Sequence, residues 1–498
     1  MKSHRLIEAF VFACLVWLPW DLCKAGDAKS ETKLPLPAES LLRVNSTNQV
    51  FDFLQPWIKK PPFNRRGLGV VLDGGRILVT AELIANSTYI ELEKPSSAEK
   101  SPAFVERVDY DCNLAVLKPT DPAFLDGLRH LPLDGPLHVG DEATILQLEP
   151  NGDVAQTAGR ITSISVGGYP SESMPLLLFK LGVPLQQRDG SFTLPAVRDG
   201  CLIGMVMRYD NRNQSADVVP TPVIRHFLSS LDSAGSQGFA RLGLSFSPLR
   251  DPQLRRYLGL KEPGGVYVTE VTPRGSATAA GIKKGDVLLA VDGLPIDQDG
   301  NYEDPDFGRI LFSHFTNTVK TPGTTLSFQI FRDGAFVELP VLMKTTDQSD
   351  SASPIHLADE APKYAIVGGL VFTELSRPYL KEWGMKWTSN APQRLVYYDT
   401  FPCELPADRG RIVILSQVLP TADSTGYEDL GNLVVTKLNG RQIKSIADLS
   451  DAVKHPMDGF HKIEFEEDPK IIFLDAASVE ANKEALKMHY SLPALERL

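Results

Sequence analysis

From Leu42 to Leu231 the chain is a series of short apolar runs cut by Gly, Asp, Asn and Pro. Leu68–Leu72, Arg76–Val79, Tyr89–Leu92, Leu114–Leu117, Ala143–Leu148 and Leu202–Val206 are examples. Runs of that length between turn residues predict strands, and so many in one stretch predict an all-β barrel or sandwich. Thr221–Leu228 differs, because Pro222 stands where a first helical turn tolerates it and apolar positions then recur at helical spacing. That predicts a closing helix. SAGSQG (233–238) is small and polar and marks a boundary, and TTDQSDSAS (345–353) reads as a linker. The units on either side of that linker share an order: an apolar strand with glycine, a strand ending in Asp292-Gly293 or Asn439-Gly440, then a helix-like stretch. Each dipeptide predicts a tight hairpin, and the shared order predicts an internal duplication.

The resulting division is 1–25 as a signal peptide, 26–41 as a linker, 42–233 as a β domain, 239–344 as a second unit, 345–362 as a linker and 363–498 as a third unit with a C-terminal extension. A length of 498 residues suits three domains at ~150 residues each. The N-terminal assignment rests on Lys2, His4 and Arg5, then apolar residues to Trp20 broken by Glu8, then Cys23-Lys24-Ala25. It places the mature chain outside the cytoplasm, secreted or periplasmic. A net charge of −11 offers no basic footprint for nucleic acid or an anionic membrane. Five cysteines, two of them in or beside the signal, form no disulfide framework, and no ligand spacing predicts a metal. No cofactor is expected. Asn45, Asn86 and Asn213 stand in glycosylation sequons, near the number chance would give.

Gly67-Leu68-Gly69-Val70-Val71-Leu72, Arg76-Ile77-Leu78-Val79-Thr80-Ala81, Asp111-Cys112-Asn113-Leu114-Ala115-Val116-Leu117 and Asp217–Ile224 resemble the trypsin-like domain of the HtrA/Deg serine proteases. GVYVTEVTPRGSATAAGIKKGDVLLAVDG (265–293) is similar to a PDZ module of that family, and GLVFTEL (369–375) with the late NGRQI resembles a second, in the plant-type arrangement. The resemblance implies a mainly β fold: a two-barrel, chymotrypsin-like domain followed by two PDZ-like α+β domains.

A serine protease needs a hydroxyl nucleophile, a histidine and an acid that orients it. At the family's positions this sequence has Glu82 for the histidine and Asn113 for the acid. Phe192 stands at the nucleophile, with Ser191 one residue early, and Thr193 and Leu194 replace the glycines that follow. Asp109 and Asp111 flank Asn113 and offer substitute acids, whereas His130, His138 and His226 are placed away from the matching strand. The expected function is therefore a catalytically inactive, exported homologue that binds polypeptide segments, C-termini or a partner protease. The alternative is an active endopeptidase using Ser191 and a non-standard base, and a third reading is a structural subunit of a homo-oligomer such as a trimer. PDZ modules add a peptide as a strand beside a sheet edge. The peptide-binding candidates are Leu242, Gly243 and Leu244 in the second unit, and Gly369, Leu370, Val371 and Phe372 in the third.

Overall fold

The computed structural model describes residues 38–498, apart from 96, 150, 152, 187–191, 232–237, 346–350 and 407–408. The signal segment and Ser191 lie outside the described residues.

Six strands, β1 (Leu41–Asn48), β2 (Phe63–Leu72), β3 (Arg76–Thr80), β4 (Ser87–Glu93), β5 (Lys100–Asp109) and β6 (Leu114–Pro119), close into a barrel in the order β1-β2-β3-β6-β5-β4. Along β1 buried and half-buried positions alternate, so Leu42 and Val44 join Ile77, Val79, Ala115 and Leu117 in the barrel interior. A one-turn helix, α1 (Ala81–Ile84), follows β3. The second barrel has β7 (Glu142–Leu148), β8 (Val154–Gly168), β9 (Pro175–Gly182), β10 (Leu194–Arg198), β11 (Cys201–Asp210) and β12 (Ser215–Pro220), ordered β10-β11-β12-β9-β8-β7. Closure leaves neither barrel with a free edge. The expected closing helix is α2 (Thr221–Ser229), with Pro at its start and Val223, Ile224 and Phe227 buried.

The second unit comprises β13 (Leu244–Pro248), α3 (Pro252–Leu258), β14 (Val266–Val271), α4 (Ser276–Ala279), β15 (Val287–Val291), β16 (Leu294–Pro295), the hairpin β17 (Asn301–Asp304) and β18 (Gly308–Leu311), a π-helical turn (Phe315–Val319), β19 (Thr325–Arg332) and β20 (Ala335–Leu342). Its sheet runs β13-β14-β15-β19-β20, which leaves β13 at an edge. Asp292 and Gly293 both have positive φ, 46° and 77°, as a two-residue hairpin requires. The unit shares one continuous core with the second barrel. Phe307 meets Phe179 edge-on at 6.0 Å, and His226 of α2 stacks on Phe239 at 4.3 Å.

The third unit contains β21 (Tyr364–Val367), β22 (Leu370–Glu374), α5 (Arg377–Lys381), α6 (Trp387–Asn390), α7 (Gln393–Thr400), β23 (Val413–Val418), β24 (Leu433–Leu438), β25 (Arg441–Gln442), α8 (Ile446–Val453), β26 (Phe460–Phe465), β27 (Ile471–Asp475), α9 (Ala476–His489) and β28 (Glu496–Arg497). Its sheet order is β27-β26-β24-β23-β22-β21-β28. The β1–β2 loop docks on this unit. The Lys60 ammonium reaches the Glu382 carboxylate at 2.6 Å, and Gln417 Nε2 donates to the Leu54 carbonyl at 2.6 Å. Among the described residues no helix is long and apolar enough to cross a membrane.

Candidate functional site

The residues matched to the triad positions by resemblance lie where α1, the β5–β6 turn and the segment before β10 meet. Thr80 ends β3 and α1 lifts Glu82 to the cleft, while Asn113 closes the β5–β6 turn in a left-handed conformation, φ 55°. Asn tolerates that region better than most residues. The two positions face each other. Asn113 Nδ2 donates to Glu82 Oε2 at 3.2 Å, and the Glu82 N–H donates to Asn113 Oδ1 at 3.0 Å. A third bond runs from the Ala81 N–H to the Asn113 carbonyl at 3.0 Å. This reciprocal pairing fixes both side chains. Burial pushes the Glu82 carboxyl up, against the charge of Arg65 and the Asn113 bond. The Arg65 guanidinium donates to the Glu82 carbonyl and lies over the Phe192 ring at 4.8 Å.

Phe192 is 40% exposed, and its ring helps line a cleft of about 350 Å³ with Glu82, Leu185, Leu194, Arg208 and Tyr209. Its backbone is committed elsewhere. The Phe192 N–H donates to the Arg66 carbonyl at 3.2 Å, and the Leu68 N–H donates to the Thr193 carbonyl at 2.9 Å. Segment 192–193 is thus laid against β2. Thr193 is fully buried, and a Cβ on Gly67 would come within 2.5 Å of its Cγ2, so glycine at 67 permits the approach. An oxyanion hole needs free N–H groups aimed at the reacting oxygen, and the Phe192 N–H is already donated.

The substitute acids serve another purpose. Asp111 Oδ2 lies 2.8 Å from Arg241 Nη2 at the entry to the second unit, and Ser173 Oγ donates to Asp111 Oδ1 at 2.5 Å. His356, from the segment before β21, lies 3.9 Å away. Burial alone would raise the Asp111 carboxyl, but His356, Arg241 and Ser173 together hold it well below the usual carboxylate range. Asp109 accepts the Asp111 N–H at 2.9 Å. The pair therefore fastens both barrels to the later units. His130 and His138 are exposed, and His226 sits at the junction of α2 with the second unit. Among the described residues no group of His, Cys, Asp and Glu could hold a metal ion, and Cys112, Cys201 and Cys403 are unpaired thiols.

The two peptide-binding candidates differ. In the second unit Gly243 has φ 74° and precedes edge strand β13, and Leu242 and Leu244 flank it. The carbonyls of Leu242 and Gly243 accept the N–H groups of Ala277 and Thr272, each at 2.8 Å, so the loop is held from within. Phe246 of β13 packs on Phe312 at 5.3 Å, on the side facing the π-helical turn. In the third unit the expectation of an open edge does not hold. Gly368 and Gly369 both have positive φ, 58° and 94°, and form a two-residue turn. That turn folds β21 back onto β22, with Val367 opposite Leu370 and Ala365 opposite Phe372. β23 pairs the other side, so Leu370, Val371 and Phe372 are fully buried. The signal missed was Gly368-Gly369 between two apolar runs, itself a hairpin signature.

Two six-stranded barrels are followed by two strand-and-helix units. Residues 240–342 and 353–495 each match a PDZ domain family. The chain is 26% identical over 473 residues to the mitochondrial protease Do-like 4 of Arabidopsis thaliana, spanning 94% of this chain and 86% of that one. It is 28% identical over 467 residues to the chloroplastic protease Do-like 2 of the same plant, spanning 91% and 74%. It is 23% identical over 299 residues to the periplasmic serine endoprotease DegP of Escherichia coli, spanning 58% and 60%. A variant of the HtrA-type protease AlgW with decapeptide superposes with a TM-score of 0.50 at 19% identity, over 63% of this chain and 97% of that one. The chain is homologous to the HtrA/Deg serine proteases and carries two PDZ domains.

Proposed function

We propose that this is an extracytoplasmic HtrA/Deg homologue that has exchanged peptide hydrolysis for polypeptide binding. One observation carries the reading: the nucleophile position is a phenylalanine whose N–H is donated to the Arg66 carbonyl. The base position supports it. Burial raises the Glu82 carboxyl, but even a raised carboxyl is poorly matched to a serine hydroxyl, and neutral Asn113 cannot stabilise an imidazolium. Edge strand β13, with Gly243 before it, is the place where an extended segment would add to the second unit. The basic, apolar and small-residue order of 1–25 supports export. Among the relatives, the Escherichia coli protease is named periplasmic, which supports export, whereas the Arabidopsis relatives are named mitochondrial or chloroplastic. The polypeptide bound is a client segment, a partner protease or a neighbouring copy.

Casein cleavage by the purified chain tests the reading. Equal background signals from the chain and its Ser191→Ala variant are expected, and the pair Glu82→His with Asn113→Asp should create no activity. Triad members act as a unit, so two restored positions gain little while the nucleophile turn is unbuilt. Turnover that disappears on Ser191→Ala would establish the endopeptidase alternative.

A further inference from the structure

The outer edge of β21 is occupied by the chain's own C-terminus. Tyr364 pairs with Arg497 and Ala365 with Glu496, antiparallel, and the Ile366 N–H donates to the Leu495 carbonyl at 2.7 Å. Strand addition of this kind is how PDZ modules hold peptides. Here it occurs one strand further out, because β21 has already covered β22.

The side chains of the tail are read individually. Leu495 packs on the apolar cluster of Tyr364, Ile366 and Leu486. Glu496, on the opposite face, accepts a bond from Ser450 Oγ of α8 at 2.6 Å. Arg497 Nη1 donates to the Pro56 carbonyl at 2.9 Å, and its guanidinium lies 5.2 Å from the Phe51 ring and 5.3 Å from Tyr364. Apolar, acidic and basic positions in succession thus each have a partner. The terminal Leu498 is 56% exposed, so recognition is of an extended segment through its backbone and side chains. The ladder is short, at two residue pairs. Beside it a cavity of about 950 Å³ opens between β21, α8 and α9, with Val367, Val453 and Val479 among its walls and Lys454, Lys483 and His489 at its rim. A longer or bulkier extended segment than the native tail has room there.

We propose that residues 491–498 are a built-in ligand, and that the edge of β21 with α8 is a second polypeptide-binding site for extended segments of apolar–acidic–basic pattern, closed by the tail. The site goes beyond the reading given above. It involves neither the barrel cleft nor β13, so its failure would leave that reading intact. Tethering through α9 gives the tail an effective concentration in the millimolar range for a short linker. A free peptide therefore competes poorly until the tail is removed.

The probe is a fluorescein-labelled peptide of sequence SLPALERL, followed by polarisation. The chain ended at Tyr490 should bind it saturably, at least ~10-fold more tightly than the full-length chain does. A peptide with Lys in place of the glutamate, or Ser450→Ala in the shortened chain, should weaken binding several-fold. A shortened chain that melts cooperatively yet does not bind the peptide, or binds a scrambled one equally, overturns the proposal. Should shortening prevent folding, the full-length Glu496→Lys, Arg497→Ala variant loosens the tail in place. It should then bind the native peptide more tightly than the unaltered chain, and no gain would equally overturn the proposal.

Discussion

Individual residues at the barrel interface are tied together by hydrogen bonds and burial. Glu82 and Asn113 hydrogen-bond to each other in both directions, which makes the contact a structural tie between α1 and the β5–β6 turn. The neighbouring aspartates carry a pH dependence. Burial, then the charge of Asp111, pushes the Asp109 carboxyl up to about 6. An acid raised in the folded state favours its protonated form. Its contribution is full below the unfolded value of about 3.9 and is lost as pH rises through about 6. Asp109→Asn keeps an oxygen for the Asp111 N–H and removes the ionisation. Denaturant melts should show the variant up to about 2–3 kcal/mol more stable than the parent at pH 8 and no more stable at pH 3.5. A difference independent of pH would contradict this assignment. Glu82, Asn113 and Phe192 were singled out in the sequence by resemblance to the family's motifs, and the bond between Glu82 and Asn113 was not foreseen. Nor was the engagement of Asp111 with Arg241, because 130 residues and a domain boundary separate the two.

Among elements, α2 and β21 show what a sequence pattern does and does not disclose. The helix was legible from Pro222 and its apolar spacing, but its role as a joint depends on His226. Nδ1 lies 2.8 Å from the Thr318 carbonyl oxygen and Nε2 3.2 Å from that of Gly238, with the ring nearly buried. Each tautomer of the ring carries one N–H and so donates to one of the two carbonyls; Phe at 226 would keep the stack on Phe239 and leave that carbonyl without its donor. His226→Phe should cost about 1–3 kcal/mol, the range for one buried carbonyl left unpaired. His226→Gln should recover part of the loss, and an unchanged melting midpoint in the Phe variant would show the bond to be immaterial. Strand β21 teaches the reverse lesson. The β character of the first domain, both tight Asp-Gly and Asn-Gly turns and the duplicated order follow from the spacing of apolar runs and turn chemistry, whereas the two-barrel form came from the resemblance. The placement of Tyr364–Val367 beside β22 was also written, in Gly368-Gly369, but resemblance to a peptide-binding loop competed with it. Close approach decides which reading the glycine serves: a Cβ on Gly369 would lie 2.3 Å from the Leu419 carbonyl oxygen.

In the whole molecule the later units are fastened to the barrels at several points: Asp111 with Arg241, His226 with Thr318 and Lys60 with Glu382. Tyr110 also donates to Asp359, which accepts the Asn86 N–H at 2.7 Å. A barrel pair held this way presents its cleft with a fixed lining. Catalysis depends on that lining as a unit, because a nucleophile, a base and free oxyanion donors must coincide. At the barrel cleft a buried carboxyl, Glu82, meets the Asn113 amide, and the Phe192 N–H is already donated to the Arg66 carbonyl; on the proposed reading these are the positions where base, acid and nucleophile would stand. The most direct test is a fluorophosphonate probe, which reacts with an activated serine regardless of substrate preference. After incubation with the full-length folded chain, intact mass measurement should show the unmodified mass alone. A stoichiometric phosphonyl adduct that is absent from the Ser191→Ala variant would contradict the account, since it would require an activated hydroxyl beside Phe192.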